Sequence, residues 1–204
     1  MISSWPILSI ITFLPLCGAF FAFFISNNDN TNKNINVSQN IKFVALWTSL
    51  MTFVISLLIL INFDLELEGY QFEEKTSWIS GFGIFYRLGV DGLSLPFILL
   101  TTFLIPICIL CSWNSIQQRI KEYMISFLIL ESFIIGMFCS LDLIVFYIFY
   151  EAVLIPMFLI IGIWGGVNRI YASFKFFLYT LLGSVLMLIA IIYIVGVVGP
   201  DDFK

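Results

Sequence analysis

The chain contains no histidine, and charge is scarce: nine Lys and Arg and thirteen Asp and Glu among 204 residues. The lack of histidine removes the side chain that most often serves as general base or metal ligand. The four cysteines, Cys17, Cys108, Cys111 and Cys139, all lie in apolar runs. Cys108 and Cys111 form a C-x-x-C, but in that setting they read as small apolar residues. No disulfide, no metal site and no resident redox cofactor is therefore expected of this chain. A net charge of −4 with no basic run makes nucleic acid an unexpected partner. The shortage of charge also excludes a soluble globular domain, because 61% hydrophobic residues and a mean hydropathy of +1.07 leave too little polar surface to cover one.

What the chain has instead is long apolar runs. Six segments predict helices at about 5–25, 43–61, 91–113, 123–140, 142–163 and 172–198. Most reach the ~20 residues that a hydrocarbon core requires. Runs this long and non-alternating favour helices over a closed barrel. The expected fold is all-α: one polytopic helical membrane bundle over 1–204, with an external loop at 62–90. The fourth helix is interrupted by Glu131 and reaches spanning length only by including residues 123–126. The first lacks a basic leader and an Ala-x-Ala-like cleavage site, and reads as a retained membrane helix. Residues 27–36, NNDNTNKNIN, read as a polar surface loop.

With six spans the connections alternate between sides. One side carries Lys33, Lys42, Arg119, Lys121, Arg169 and Lys175; the other has Lys75, Arg87 and Lys204. The positive-inside rule then places both chain ends outside. The 62–90 connection is rich in acids, including Asp64, Glu66, Glu68, Glu73 and Glu74, and its Trp78, Phe82, Phe85 and Tyr86 suit an interfacial belt. It predicts a short external hairpin or interfacial turn. Asp91 or Ser94 then caps the third helix, with Pro96 in its first turn.

Glu151 is the most informative polar residue, a lone carboxylate near the middle of the run LIVFYIFYEAVLIPMFLIIG. A charge near the bilayer midplane costs at least ~2.5 kcal/mol, so an acid there points to function. A carboxyl group at that depth can take up and release a proton; the other reading is a packing acid held neutral by hydrogen bonds. Asp142, in the short link before this helix, is an expected N-cap. Pro156 cannot donate to the carbonyl of Ala152, and a free carbonyl beside Glu151 can hold water. Lys175, at the start of the sixth helix with Tyr179 and Gly183 following at four-residue spacing, is the best cation candidate, or else a snorkelling interfacial lysine. Thr180 and Ser184 form an adjacent polar stripe. Glu131 is the second intramembrane acid; packing, pairing with Arg119 or Lys121, and a minor proton-path role are all open to it. Gly162, Gly165 and Gly166 include a G-x-x-x-G that suits close helix contact, or else they terminate the fifth helix.

Three strings carry a resemblance: GVDGLSLPFILLTTFLIPICILCSW (89–113), LDLIVFYIFYEAVLIPMFLIIGIWGG (141–166) and ASFKFFLYTLLGSVLMLIAI (172–191). Together they resemble the subunit 4 family of mitochondrial NADH:ubiquinone oxidoreductase, respiratory complex I, whose members are antiporter-like membrane subunits. The resemblance implies proton translocation across the mitochondrial inner membrane, driven by quinone reduction elsewhere in the complex. It implies FMN, iron-sulfur clusters and ubiquinone in other subunits and none here. It carries over to Glu151 as the fifth-helix glutamate of the proton channel, and more loosely to Asp142 and Lys175 as charged modulators.

The family's longer members pair that glutamate with a lysine on a seventh helix and continue with further lysines and a histidine. This sequence has none of these and resembles only the N-terminal half. The expectation is a split subunit, in which a separate chain supplies the seventh helix onward and neighbouring antiporter-like subunits and lipid complete the surroundings. The alternatives are a multisubunit cation/proton antiporter and a non-pumping structural remnant.

Overall fold

The structure, a computed structural model, describes residues 6–25, 31–64, 66–67, 69–79 and 84–198. Six helices and one hairpin follow in chain order: α1 (Ile7–Phe24), α2 (Thr31–Asn62), β1 (Gln71–Ile79), β2 (Ile84–Val90), α3 (Ser94–Cys111), α4 (Ile120–Cys139), α5 (Leu143–Trp164) and α6 (Arg169–Val198). All six helices are long and apolar enough to cross a membrane. The expected helical bundle is therefore present. Its boundaries differ most at α2, which begins at Thr31, not near 43, so the second half of the expected 27–36 loop is helical. Residues 27–30, Glu68, Phe82 and Lys204 lie outside the described residues.

The helices are apolar nearly all round, so lipid-facing and core-facing sides are distinguished by packing more than by pattern. The most buried span is α4, which packs against α1, α2, α3 and α5. Close approach depends on small residues: a side chain at Gly136 on α4 would run into the Phe149 ring on α5, and one at Gly18 on α1 into Thr48 on α2. The least buried spans are α5 and α6, which pack against each other along the edge of the bundle.

Two apolar clusters form the core, one at each end. Leu8, Ile11, Ile59, Leu95, Ile98, Ile135 and Cys139 gather at the end under the hairpin, with Leu88 and Val90. Ala19, Ala22, Ile41, Ala45, Ile105, Ile109, Met124 and Leu128 gather at the other end. Between them lies a polar layer of Thr12, Ser49, Thr52, Ser56, Thr102, Glu131 and Ser132, every one fully buried. The Ser49 and Ser56 hydroxyls of α2 in this layer donate back to carbonyls of their own helix, which satisfies them without water.

The external connection folds as an antiparallel β-hairpin, with Thr76 opposite Tyr86 and Lys75 opposite Arg87 and irregularities flanking that register. It is docked at two points. Glu74 accepts hydrogen bonds from the α1 amides of Leu8 (2.7 Å) and Ser9 (3.1 Å) and from the Ser9 hydroxyl. At the second point, Leu88 bridges Ser140 and the Leu141 amide donates to the Arg87 carbonyl at 3.0 Å. Burial raises the pKa of Tyr86, beside Ser9 in this joint, above its ordinary value.

Candidate functional site

Asp142 caps α5 as its position implies: its extended backbone aims Oδ1 at the amides of Ile144 (2.8 Å) and Val145 (3.3 Å). The link that carries it is the one the hairpin grips. The start of α5, and with it the depth of Glu151, is thus fixed from outside the bundle.

Glu151 lies nine residues further on, about 13 Å along the helix. It is partly buried on the side of α5 that meets α6. Its Oε1 accepts from the Tyr147 hydroxyl at 2.7 Å and from the Ser184 hydroxyl at 2.5 Å. Ser184, on α6, is almost wholly buried. The carboxyl group is therefore held by neutral donors and meets no cation among the described residues, where the one ion pair is Arg87 with Glu73 at 2.9 Å.

Lys175 is not beside it. From Ser184 back to Lys175 is nine residues, about 900° of helix rotation and so the opposite face, and about 13 Å lower. Lys175 is exposed, with its amine 5.9 Å from the centre of the Tyr171 ring. The snorkelling geometry describes it well. Tyr179 and Gly183 share the exposed side of α6, and Thr180 donates to the Phe176 carbonyl of its own helix.

Glu131 has a site of its own in the polar layer. Its Oε1 accepts from Thr52 on α2 at 2.5 Å, while its Oε2 is buried without a hydrogen-bond partner among the described residues. Pairing with Arg119 or Lys121, one of the readings open to it, does not occur among the described residues. Lys121 instead donates to the carbonyls of Phe23 (2.6 Å) and Ile25 (2.9 Å), closing the C-terminal end of α1. The reason is depth: Glu131 is ten residues, about 15 Å, along α4 from Lys121. Next to Glu131, Ser132 donates to the Thr12 carbonyl of α1, and Ser56 meets Thr102 of α3 at 2.8 Å.

Two groups at these sites escape a reading that follows charge alone. Tyr147 sits one turn before Glu151 at the i, i+4 spacing that brings side chains together, and that spacing was the available signal. Thr52 belongs to the stripe Ser49, Thr52, Ser56, whose three- and four-residue steps mark one face of α2. The glycines near the end of α5 serve both expected purposes: Gly162 faces Ser173 of α6, and Gly165 is the C-cap.

The family model described as NADH:quinone oxidoreductase/Mrp antiporter, TM, matches residues 140–204. NADH-quinone oxidoreductase subunit M of Rhodobacter capsulatus is 52% identical over 196 residues, which are 96% of this chain and 37% of the relative. NADH-ubiquinone oxidoreductase chain 4 of Marchantia polymorpha is 46% identical over 198 residues, 97% of this chain and 38% of that protein. The chain thus spans under two-fifths of the length of these curated relatives. Among solved structures, a chain of respiratory complex I from Thermus thermophilus with bound NADH superposes with a TM-score of 0.73 at 25% identity, over 91% of this chain and 35% of that one. A chain of an archaeal membrane-bound sulfane sulfur reductase has the same fold, with a TM-score of 0.73 at 20% identity. On these matches nearly the whole of this chain is similar to part of the antiporter-like membrane subunits of NADH:quinone oxidoreductases, and its six helices are long and apolar enough to cross a membrane.

Proposed function

We propose that this six-helix unit is the proton-accepting part of a proton-translocating subunit of respiratory complex I, with Glu151 as its principal group. The observation that carries this reading is the setting of Glu151: a midplane carboxyl group between Tyr147 and Ser184, without a cation among the described residues, at the seam of the two least covered helices. A lysine on a surface that covers α5 and α6 pairs with Glu151. Separating the pair releases the lysine's proton along the midplane, and re-pairing resets it; the two groups titrate as one coupled unit. Glu131, with one oxygen unpartnered in the polar layer, is a secondary proton-holding group. Asp142 fixes the position of α5, and Lys175 acts only at a distance or on the covering surface.

In this reading the membrane is the mitochondrial inner one and the N-terminus faces the intermembrane space. NADH oxidation and quinone reduction, with their FMN, iron-sulfur and ubiquinone cofactors, belong to other subunits. The covering lysine comes from a surface beyond these six helices that packs on α5 and α6, an arrangement supported by the broad uncovered face of α6, where Tyr171, Leu182, Leu186 and Tyr193 are all exposed. A cation/proton antiporter is the second reading, since the matching family model takes in both classes.

The test is Glu151→Gln in the assembled membrane complex, with NADH oxidation and vesicle acidification measured together. The expected result is an assembled complex that acidifies vesicles far less per NADH oxidised; undiminished acidification overturns the assignment. Proteins co-purifying with the unaltered chain separate the two classes, because flavin and iron-sulfur subunits belong only with complex I.

A further inference from the structure

On the side where the third and fifth connections lie, the ends of three spans enclose a cavity of about 330 Å³. Its lining includes Arg119, the residue before α4, and Arg169, the first residue of α6, together with Gln118, Trp164, Ile163 and Ile170. Two hydrogen bonds hold the walls: the Trp164 indole donates to the Gln118 carbonyl at 2.9 Å, and Arg169 Nη1 donates to the Ile163 carbonyl at 2.8 Å. Arg169 meets no carboxylate among the described residues. Arg119 meets no carboxylate among the described residues, and Glu122, on the adjoining turn, is exposed and pairs with neither arginine. The first turn of α4 has no side-chain cap, so its amides face the same side.

Two arginines, both exposed at the lining of one cavity, are suited to a phosphate, which they can grip through paired N–H donors. The level of the cavity decides what carries that phosphate. Because α4, α5 and α6 all end there, the cavity lies where a bilayer places its headgroups, and Trp164 is the residue type that favours that zone. Ile170, well exposed at the lip, and the apolar flank of α6 below it offer acyl chains a surface to follow. We infer that Arg119 and Arg169 form a binding site for the phosphate headgroup of an anionic membrane phospholipid, which fills the gap between the ends of α4, α5 and α6. Basic pockets between helices on the positively charged side of a membrane protein are where such lipids bind. This inference is independent of the role given to Glu151.

The test uses the assembled complex in nanodiscs of phosphatidylcholine containing a photoactivatable phosphatidylglycerol. Labelling is expected in the peptides that hold Arg119 and Arg169, unaffected by inorganic phosphate and reduced about tenfold in the Arg119→Gln/Arg169→Gln variant, as loss of charge-assisted hydrogen bonds implies. Labelling abolished by inorganic phosphate makes this a site for a free anion and overturns the lipid assignment. Equal labelling by photoactivatable phosphatidylcholine overturns it too, as contact without headgroup selection. If the double variant fails to assemble, competition on the unaltered complex decides: unlabelled phosphatidylglycerol must displace the label, and failure to do so overturns the site.

Discussion

The hydroxyl of Ser184 on α6 donates to Oε1 of Glu151 on α5 at 2.5 Å, a side-chain bond that ties the two helices together well inside their spans. Tyr147 supplies the second donor from within α5. Removing either leaves the carboxyl group one partner short at the midplane, and a hydrogen bond to such a group is worth about 1.5–3 kcal/mol when it is charged. Ser184→Ala and Tyr147→Phe are therefore each expected to assemble and to acidify vesicles less per NADH oxidised, with Glu151→Gln more severe than either. Because both donors meet the same oxygen, the double variant should fall short of the summed losses. Strictly additive losses, or no loss, would show that the hydroxyls do not hold the working geometry.

Glu131 yields a prediction that separates packing from proton handling. It is fully buried, with Thr52 on one oxygen and nothing on the other. Glu131→Ala empties the centre of the most buried helix, at a cost of about 2–5 kcal/mol for a truncation of this size. It should lower the amount of assembled complex. Glu131→Gln keeps the volume and an acceptor for Thr52, so assembly should survive while acidification falls by less than in Glu151→Gln. Full acidification in an assembled Glu131→Gln complex would leave this residue a packing role alone.

The spans, the Asp142 cap and the external hairpin were legible because each rests on local information: run length, a short polar link, and aromatic and acidic residues between two apolar segments. What stayed hidden is rotational and tertiary. Lys175 and Ser184 belong to one helix, and their nine-residue separation already places them on opposite faces. Which of those faces meets Glu151 depends on how α6 packs against α5. The partner of Glu131 is 79 residues away on α2, and no pattern within α4 points to it. The early start of α2 runs against its Asn-rich sequence, since asparagine is a weak helix former.

Glu74 gives a test of the external joint. α1 has no cap of its own, as Pro6 precedes it without a side-chain bond, and Glu74 meets the amides of Leu8 and Ser9 from the hairpin instead. Loss of a helix cap costs about 0.5–2 kcal/mol. Glu74→Ala should loosen the hairpin at this end while the Leu88–Ser140 bridge still holds the other. Faster amide exchange in β1 than in β2 is the expected signature. Unchanged exchange in both strands would show that the second joint suffices.

Asp91 allows the pH dependence to be worked out with its sign. The Ser94 amide donates to its Oδ1 at 2.7 Å, and this bond holds the Asp91 carboxyl below its ordinary value of 3.8. The Ser94 hydroxyl in turn accepts from the Asp91 amide at 3.1 Å, so the two residues close the start of α3 reciprocally. A carboxyl group whose folded-state pKa is lowered contributes stability that is fully present above its unfolded pKa, ~3.9, and is lost as pH falls through the lower folded value. The start of α3 should thus be insensitive to pH near neutrality and loosen only in acid below pH ~4. Asp91→Asn retains an oxygen acceptor but no charge, so it should weaken the cap at neutral pH and remove the acid-dependent part. Exchange of the Ser94 and Leu95 amides, followed from neutral to acid pH in both proteins, checks this: the two profiles should converge in acid, and parallel profiles would show that the Asp91 charge does not hold this helix start.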